Sequence, residues 1–112
     1  MAYNNQKHYI KDKKIDILVN NYIGPEPNGE DWRPIEGGKN IWAYYRQASA
    51  DEYDRAGLAG YKVEAIFRIN WRNNISVDHR ILFRGDNYEI TRIDDFEGYK
   101  KELTIYANHI KP

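Results

Sequence analysis

The chain contains no cysteine. Disulfides, cysteine-ligated metal centres and thiol catalysis are therefore excluded, and a reducing compartment is compatible with the sequence. It also lacks an excess of either charge: 17 Lys and Arg balance 17 Asp and Glu, for a formal net charge of zero. A dedicated DNA binder usually carries a basic surplus, because it must neutralise phosphates. The balance weakens that class and leaves room only for a local basic patch. Little self-repulsion remains, so self-association is easier. No apolar run approaches the roughly 20 residues that a spanning helix needs. Residues 1–14 are polar and basic without an apolar centre, so they read as neither signal peptide nor membrane anchor. The expectation is a protein made and kept in the cytosol, with no membrane contact. There is no internal repeat and no low-complexity segment.

What is present is a chain of 112 residues, 41% hydrophobic and 30% charged, a composition expected of one folded domain with one modest core. Aromatics make up 14%, including ten tyrosines. Such residues suit pleated surfaces and interfaces, which favours a β protein with adhesive faces.

The organising stretch runs from Tyr61 to Thr91. Tyr61, Val63, Ala65, Phe67, Ile69 and Trp71 fall on one face, and Lys62, Glu64, Arg68 and Asn70 on the other. That period of two predicts a long, half-buried strand, with Ile66 breaking the alternation. After a polar turn at Arg72-Asn73-Asn74, His79–Arg84 and Asn87–Thr91 read as a hairpin around a Gly85-Asp86 corner. Ile15–Val19, Ile41–Gln47 and Glu102–Asn108 supply three more strands. Phe67, Ile69, Ile81, Phe83, Ile90 and Ile105 should be buried together.

Between these strands, Tyr22–Asn40 is a long connection punctuated by Gly24-Pro25, Pro27-Asn28-Gly29, Pro34 and Gly37-Gly38. Connections of this length are often functional, and Trp32 within it should dock back on the body. Ala48–Gly60 is small, charged and glycine-tipped. Ser49 and Glu52 have capping-box spacing, which would start a helical turn that Gly57 and Gly60 end. The alternative for this stretch is a projecting loop that takes its final shape on assembly. Residues 1–14 are expected to be a flexible arm and 15–112 a single domain. The fold class expected is all-β: a small antiparallel six-stranded β-barrel, with one long loop and room for a short helix between central strands. Closure removes exposed sheet edges.

No residue constellation points to catalysis. His8, His79 and His109 are far apart and lack metal-motif company. Asp51-Glu52 and Asp94-Asp95 read as solvated turn acids rather than a general acid–base pair. Gly37-Gly38-Lys39 lacks the remainder of a phosphate loop. Arg84-Gly85-Asp86 spells an adhesion tripeptide, but a hairpin corner wants Gly-Asp for backbone reasons. No enzyme activity, cofactor or metal is expected. Arg68, Arg72, Arg80, Arg84 and Arg92 cluster in the sheet region, and small barrels do bind single strands on aromatics beside basic grooves. Interleaving with Glu64, Asp78, Glu89 and Asp94 reads better as a mixed-charge outer face.

The order of features carries a resemblance. Trp42-Ala43 leads into Ser49-Ala50-Asp51-Glu52-Tyr53, then a small-residue loop, then a strand ending Phe67-Arg68-Ile69-Asn70-Trp71-Arg72. Val77-Asp78-His79-Arg80-Ile81-Leu82-Phe83 and Gly85-Asp86-Asn87-Tyr88-Glu89-Ile90 follow, and then a closing strand. Over about residues 15–110 this resembles the head–tail joining (head closure, or stopper) proteins of bacteriophages with long non-contractile tails. The resemblance implies a small β-barrel without enzymatic activity. It implies a structural virion protein of the neck, assembled in the bacterial host cytoplasm as a ring beneath the portal, joining the DNA-filled head to the tail. The implied partners are a portal-bound adaptor protein, a tail-completion or tail-terminator protein, further copies of itself in the ring, and packaged double-stranded DNA by transient non-specific contact. Ala48–Gly60 would be the loop that closes the DNA channel, with Ser49, Asp51, Glu52 and Tyr53 at its start and Asp54, Arg55 and Leu58 as further assembly residues. Without a template the free protein should be a monomer or weakly associated. The alternative is an OB or SH3-like barrel that binds nucleic acid, which a salt-dependent affinity for DNA would favour. The long N-terminal arm and the Pro/Gly-rich 22–38 loop depart from the family pattern.

Overall fold

The computed structural model describes residues 10–49 and 63–111. Seven strands occur among them: β1 (Lys13–Asn20), β2 (Trp32–Pro34), β3 (Ile41–Gln47), β4 (Ala65–Asn70), β5 (Arg80–Phe83), β6 (Asp86–Asp95) and β7 (Glu102–His109). All pairings are antiparallel. The hydrogen-bonded order is β1-β3-β4-β7-β6-β5, and β5 returns to β1, so six strands close a barrel and β2 is an extra strand on β1. The all-β six-stranded barrel expected from the sequence is therefore present. The long predicted strand is observed as β4, and Tyr61 and Lys62 lie outside the described residues.

Alternation explains the interior. Ile15, Ile17, Ala43, Ala65, Phe67, Ile69, Ile81, Phe83, Ile90, Leu103, Ile105 and Ala107 form one buried cluster. All six residues expected to share a core lie in it. Large rings sit beside small residues: Ala65 pairs with Ala107, while Phe67 packs edge-on to Phe83 at 5.4 Å and to Tyr88 at 5.5 Å. A narrow barrel is filled by such alternation of small and large side chains. Among the described residues no polar or charged side chain is buried in this core.

Ile90 and Ile93 both meet the core although they are three residues apart. Strict alternation would put them on opposite faces. The pairing Ile90↔Ala107 is followed by Arg92↔Tyr106, so Thr91 is an extra residue in a β-bulge. Its hydroxyl donates to the Tyr106 carbonyl at 3.0 Å. Bulges add twist and bend the strand, as a closing barrel requires.

The 22–40 connection holds more structure than its turn residues suggest. Leu18↔Pro34 and Asn20↔Trp32 pair β1 with β2, and Ile35 N–H donates to the Ile17 carbonyl at 2.9 Å. In that pattern Pro34 falls at a position whose missing N–H would face away from β1. An edge strand tolerates proline there, and the edge is blunted. The pairing then shifts across Ile35–Asn40 before β3 meets Lys13–Ile15. Gly38 N–H donates to the Ile35 carbonyl at 2.8 Å in this turn. A side chain at Gly38 would meet Ile35 Cγ1 at 2.5 Å and the Ile17 carbonyl oxygen at 2.8 Å. Trp32 docks back as expected, with the Arg80 guanidinium 3.9 Å above its ring.

The hairpin corner lies one residue earlier than the sequence suggested. Phe83 pairs with Asp86, so the two turn residues are Arg84 and Gly85, and Asp86 opens β6. Both have positive φ, 53° and 82°, the left-handed pair that matches the twist of a two-residue hairpin.

Candidate assembly site

In an antiparallel barrel, successive connections alternate between the two ends. The β3–β4 connection, the Arg84-Gly85 turn and the outer ends of β1 and β7 share one end. The 21–40 connection from β1 to β3, which carries β2, and the 71–79 and 96–101 connections share the other.

At the first end, the β3–β4 connection leaves through a closed neck. Ala48 N–H donates to the Glu64 carbonyl at 3.0 Å, and Glu64 N–H donates to the Ala107 carbonyl at 3.1 Å. These bonds extend the β3-β4-β7 sheet beyond its regular strands and hold the two ends of the connection together. The Glu64 side chain adds a third tie, accepting from His109 N–H at 2.9 Å. His109 Nε2 lies 3.4 Å from Asp86 Oδ1.

Beneath the neck the barrel is plugged by rings. Tyr45 lies 5.3 Å from Phe67 and 4.7 Å from Phe83, centroid to centroid. Tyr88 contacts the His109 ring at 5.4 Å. Burial, chiefly, raises the Tyr88 pKa, and neighbouring Tyr45, Asp86 and Glu64 push the same way against Arg84. The Arg84 guanidinium stacks over Phe83 at 4.7 Å. This end is thus apolar inside and mixed in charge at the rim.

Of the candidate assembly residues, Ser49 is described and is exposed just beyond the neck. Asp51, Glu52, Tyr53, Asp54, Arg55 and Leu58 lie outside the described residues, as does the helical turn expected from the Ser49–Glu52 spacing. The neck itself was not legible in the sequence, because it depends on Ala107, far along the chain.

The arginines that could have marked a nucleic-acid groove have partners within the protein. Arg68 lies 3.6 Å from Glu102, Arg80 3.7 Å from Glu30 and Arg92 3.1 Å from Asp94. Arg72 donates to the Glu36 carbonyl at 2.9 Å. Only Asp94 among these acids was anticipated; Glu102, which also pairs with Lys11, was missed because its partners are remote in sequence. His79 precedes β5 and His109 ends β7, with β6 between them, so the fold does not bring them together. Among the described residues no group of three His, Asp or Glu side chains could hold a metal ion.

A comparison with curated proteins gives no match. Residues 7–109 match the family described as phage head completion protein, a family of structural virion proteins. The match spans nearly the whole chain, including every strand of the barrel, and the chain belongs to the phage head completion protein family.

Proposed function

We propose that this protein works in the neck of the virion, joining the DNA-filled head to the tail as a ring beneath the portal and its adaptor. The 48–60 loops of neighbouring copies close the DNA channel, and a tail-completion or tail-terminator protein docks below. Family membership across residues 7–109 carries the reading. The bonded Ala48–Glu64 neck supports the loop's part in it, because a segment mounted on a closed base can change shape without disturbing the barrel. Ordering such a loop costs about 1–2 kcal/mol per residue in backbone entropy, so contacts with neighbouring copies must offset it. The channel must release its DNA later, so contact with the duplex is transient and non-specific. The engaged arginines give the nucleic-acid-binding alternative no support.

The test replaces Asp51–Leu58 with a short Gly-Ser turn. The barrel should melt as before, and heads should still recruit the protein but lose packaged DNA. Full DNA retention without the loop would overturn the channel-closing role and leave a joining role alone.

A further inference from the structure

Three turns meet at the end of the barrel away from the 48–60 connection, and Arg72 joins two of them. Its Nη2 donates to the Glu36 carbonyl at 2.9 Å and its Nε to Asn74 Oδ1 at 2.7 Å, while Asn74 Nδ2 donates to the same Glu36 carbonyl at 3.0 Å. Gly37 makes room for the guanidinium: a Cβ there would lie 3.2 Å from Nη2, at a φ of 66°. Trp71 carries the contact on to the third turn. Its N–H donates to the Lys101 carbonyl at 3.1 Å, and Lys100 Nζ lies 5.6 Å from its ring. The 35–40, 71–74 and 96–101 turns thus present one surface.

The 96–101 turn holds its shape against backbone preference. Glu97 and Lys100 have positive φ, 49° and 58°, beside Gly98 at 73°. Lys100 N–H donates to Asp95 Oδ1 at 3.1 Å, which ties the turn to the end of β6. Tyr99, held between Gly98 and Lys100, is 61% exposed. Non-glycine residues in this backbone region are costly and cluster where a surface has a function.

Charge distinguishes this surface from the rest of the barrel. Arg33, Arg68, Arg80 and Arg92 each form an ion pair with a carboxylate of the chain. Arg72 is held instead by a carbonyl and an amide, both neutral, so its position is fixed while its charge has no bonded counterpart. Among the described residues no carboxylate pairs with Arg72, Lys39, Lys100 or Lys101. A preplaced guanidinium keeps unused N–H donors in a fork that fits a carboxylate, and Trp, Tyr and Arg most often anchor protein contacts. Glu36, Asp95 and Glu97 stand among the cations. A DNA duplex presents an unbroken row of phosphates and would meet those acids as well as the cations. A protein surface can set single carboxylates opposite single cations. The chain's own acidic stretch does not supply them: Glu30 pairs with Arg80, Asp31 pairs with Arg33 and Glu26 accepts from the Tyr22 hydroxyl.

We infer that this end of the barrel is a docking surface for a different protein, which brings carboxylates to Arg72, Lys39, Lys100 and Lys101 around a contact with Tyr99. The inference rests on the neck reading above, which places a protein on the head side and another on the tail side, and it names the surface that meets one of them.

Lys39→Glu combined with Lys101→Glu reverses two exposed charges, and Arg72→Gln removes the fork. The probes are heads and tails isolated from particles that lack this protein, with recruitment measured by sedimentation at low salt. The double variant should bind one of the two about tenfold more weakly than the parent and the other as before, and Arg72→Gln should weaken the same one. The double variant should melt with the parent, because both side chains are exposed. Recruitment of the double variant equal to the parent's on heads and on tails would overturn the inference. A loss that appears instead in binding to a short DNA duplex would assign the cations to phosphates, and one in self-association would assign them to a second copy; either overturns it. A parent that binds neither heads nor tails overturns the neck reading and this surface with it, whereas a parent that binds, with variants that bind equally well, overturns this surface alone.

Discussion

The Arg84 guanidinium carbon lies 4.7 Å from the Phe83 ring centroid, and Arg84 holds that position from a left-handed backbone with φ of 53°. A non-glycine residue in that region costs about 1–2 kcal/mol, and a partly exposed cation–π contact returns about 0.5–1 kcal/mol. The stacked side chain thus offsets part of the strain of the turn it occupies.

The turn yields a pair of opposed expectations. Gly85→Ala puts a Cβ where no atom lies within 4 Å, at a φ of 82°. The loss should come from the backbone alone and amount to about 1–2 kcal/mol. Arg84→Asn suits the left-handed position better but gives up the stacking, so stability should change by less than about 1 kcal/mol. Urea unfolding of both variants measures this. An unchanged midpoint for Gly85→Ala would count against the two-residue left-handed turn.

Phe67 is fully buried and touches the Tyr45, Phe83 and Tyr88 rings. Phe67→Ala should cost about 3–5 kcal/mol, a large part of a small domain's total stability. The measurement is equilibrium denaturation, and a loss below about 1 kcal/mol would mean that this ring does not organise the core.

His79 gives the protein an acid-side sensitivity. Burial lowers its pKa from the ordinary value of 6.5, while Asp78 opposes the shift. The geometry agrees: Ser76 N–H donates to His79 Nδ1 at 3.1 Å, which requires that nitrogen unprotonated. A folded pKa below the unfolded one means the unfolded chain takes up its proton first. The stabilising contribution is therefore present above about pH 6.5 and is lost as pH falls through the lower folded value. Melting temperature should decline from neutral pH toward pH 5 more steeply in the parent than in His79→Gln. Parallel profiles would rule the histidine out as the source.

Local rules determined a great deal of this protein. Alternation over Ala65–Asn70, Arg80–Phe83 and Glu102–His109 is a property of consecutive residues, so the strands and the cluster of Phe67, Ile69, Ile81, Phe83, Ile90 and Ile105 could be read directly. The ordered motifs from Trp42 to Ile90 carried the family. What the tertiary structure decided involves partners that the chain brings together from afar. The β1–β5 pairing closes the barrel. The bulge at Thr91 returns Ile93 to the core. The Ala48–Glu64 neck is tied to Ala107, and Ile66, on the parity opposite to the core, is nonetheless buried. β2 shows the limit most simply: three residues among prolines and glycines have no periodicity of their own, and they are a strand because the edge of β1 beside them needed its hydrogen bonds satisfied.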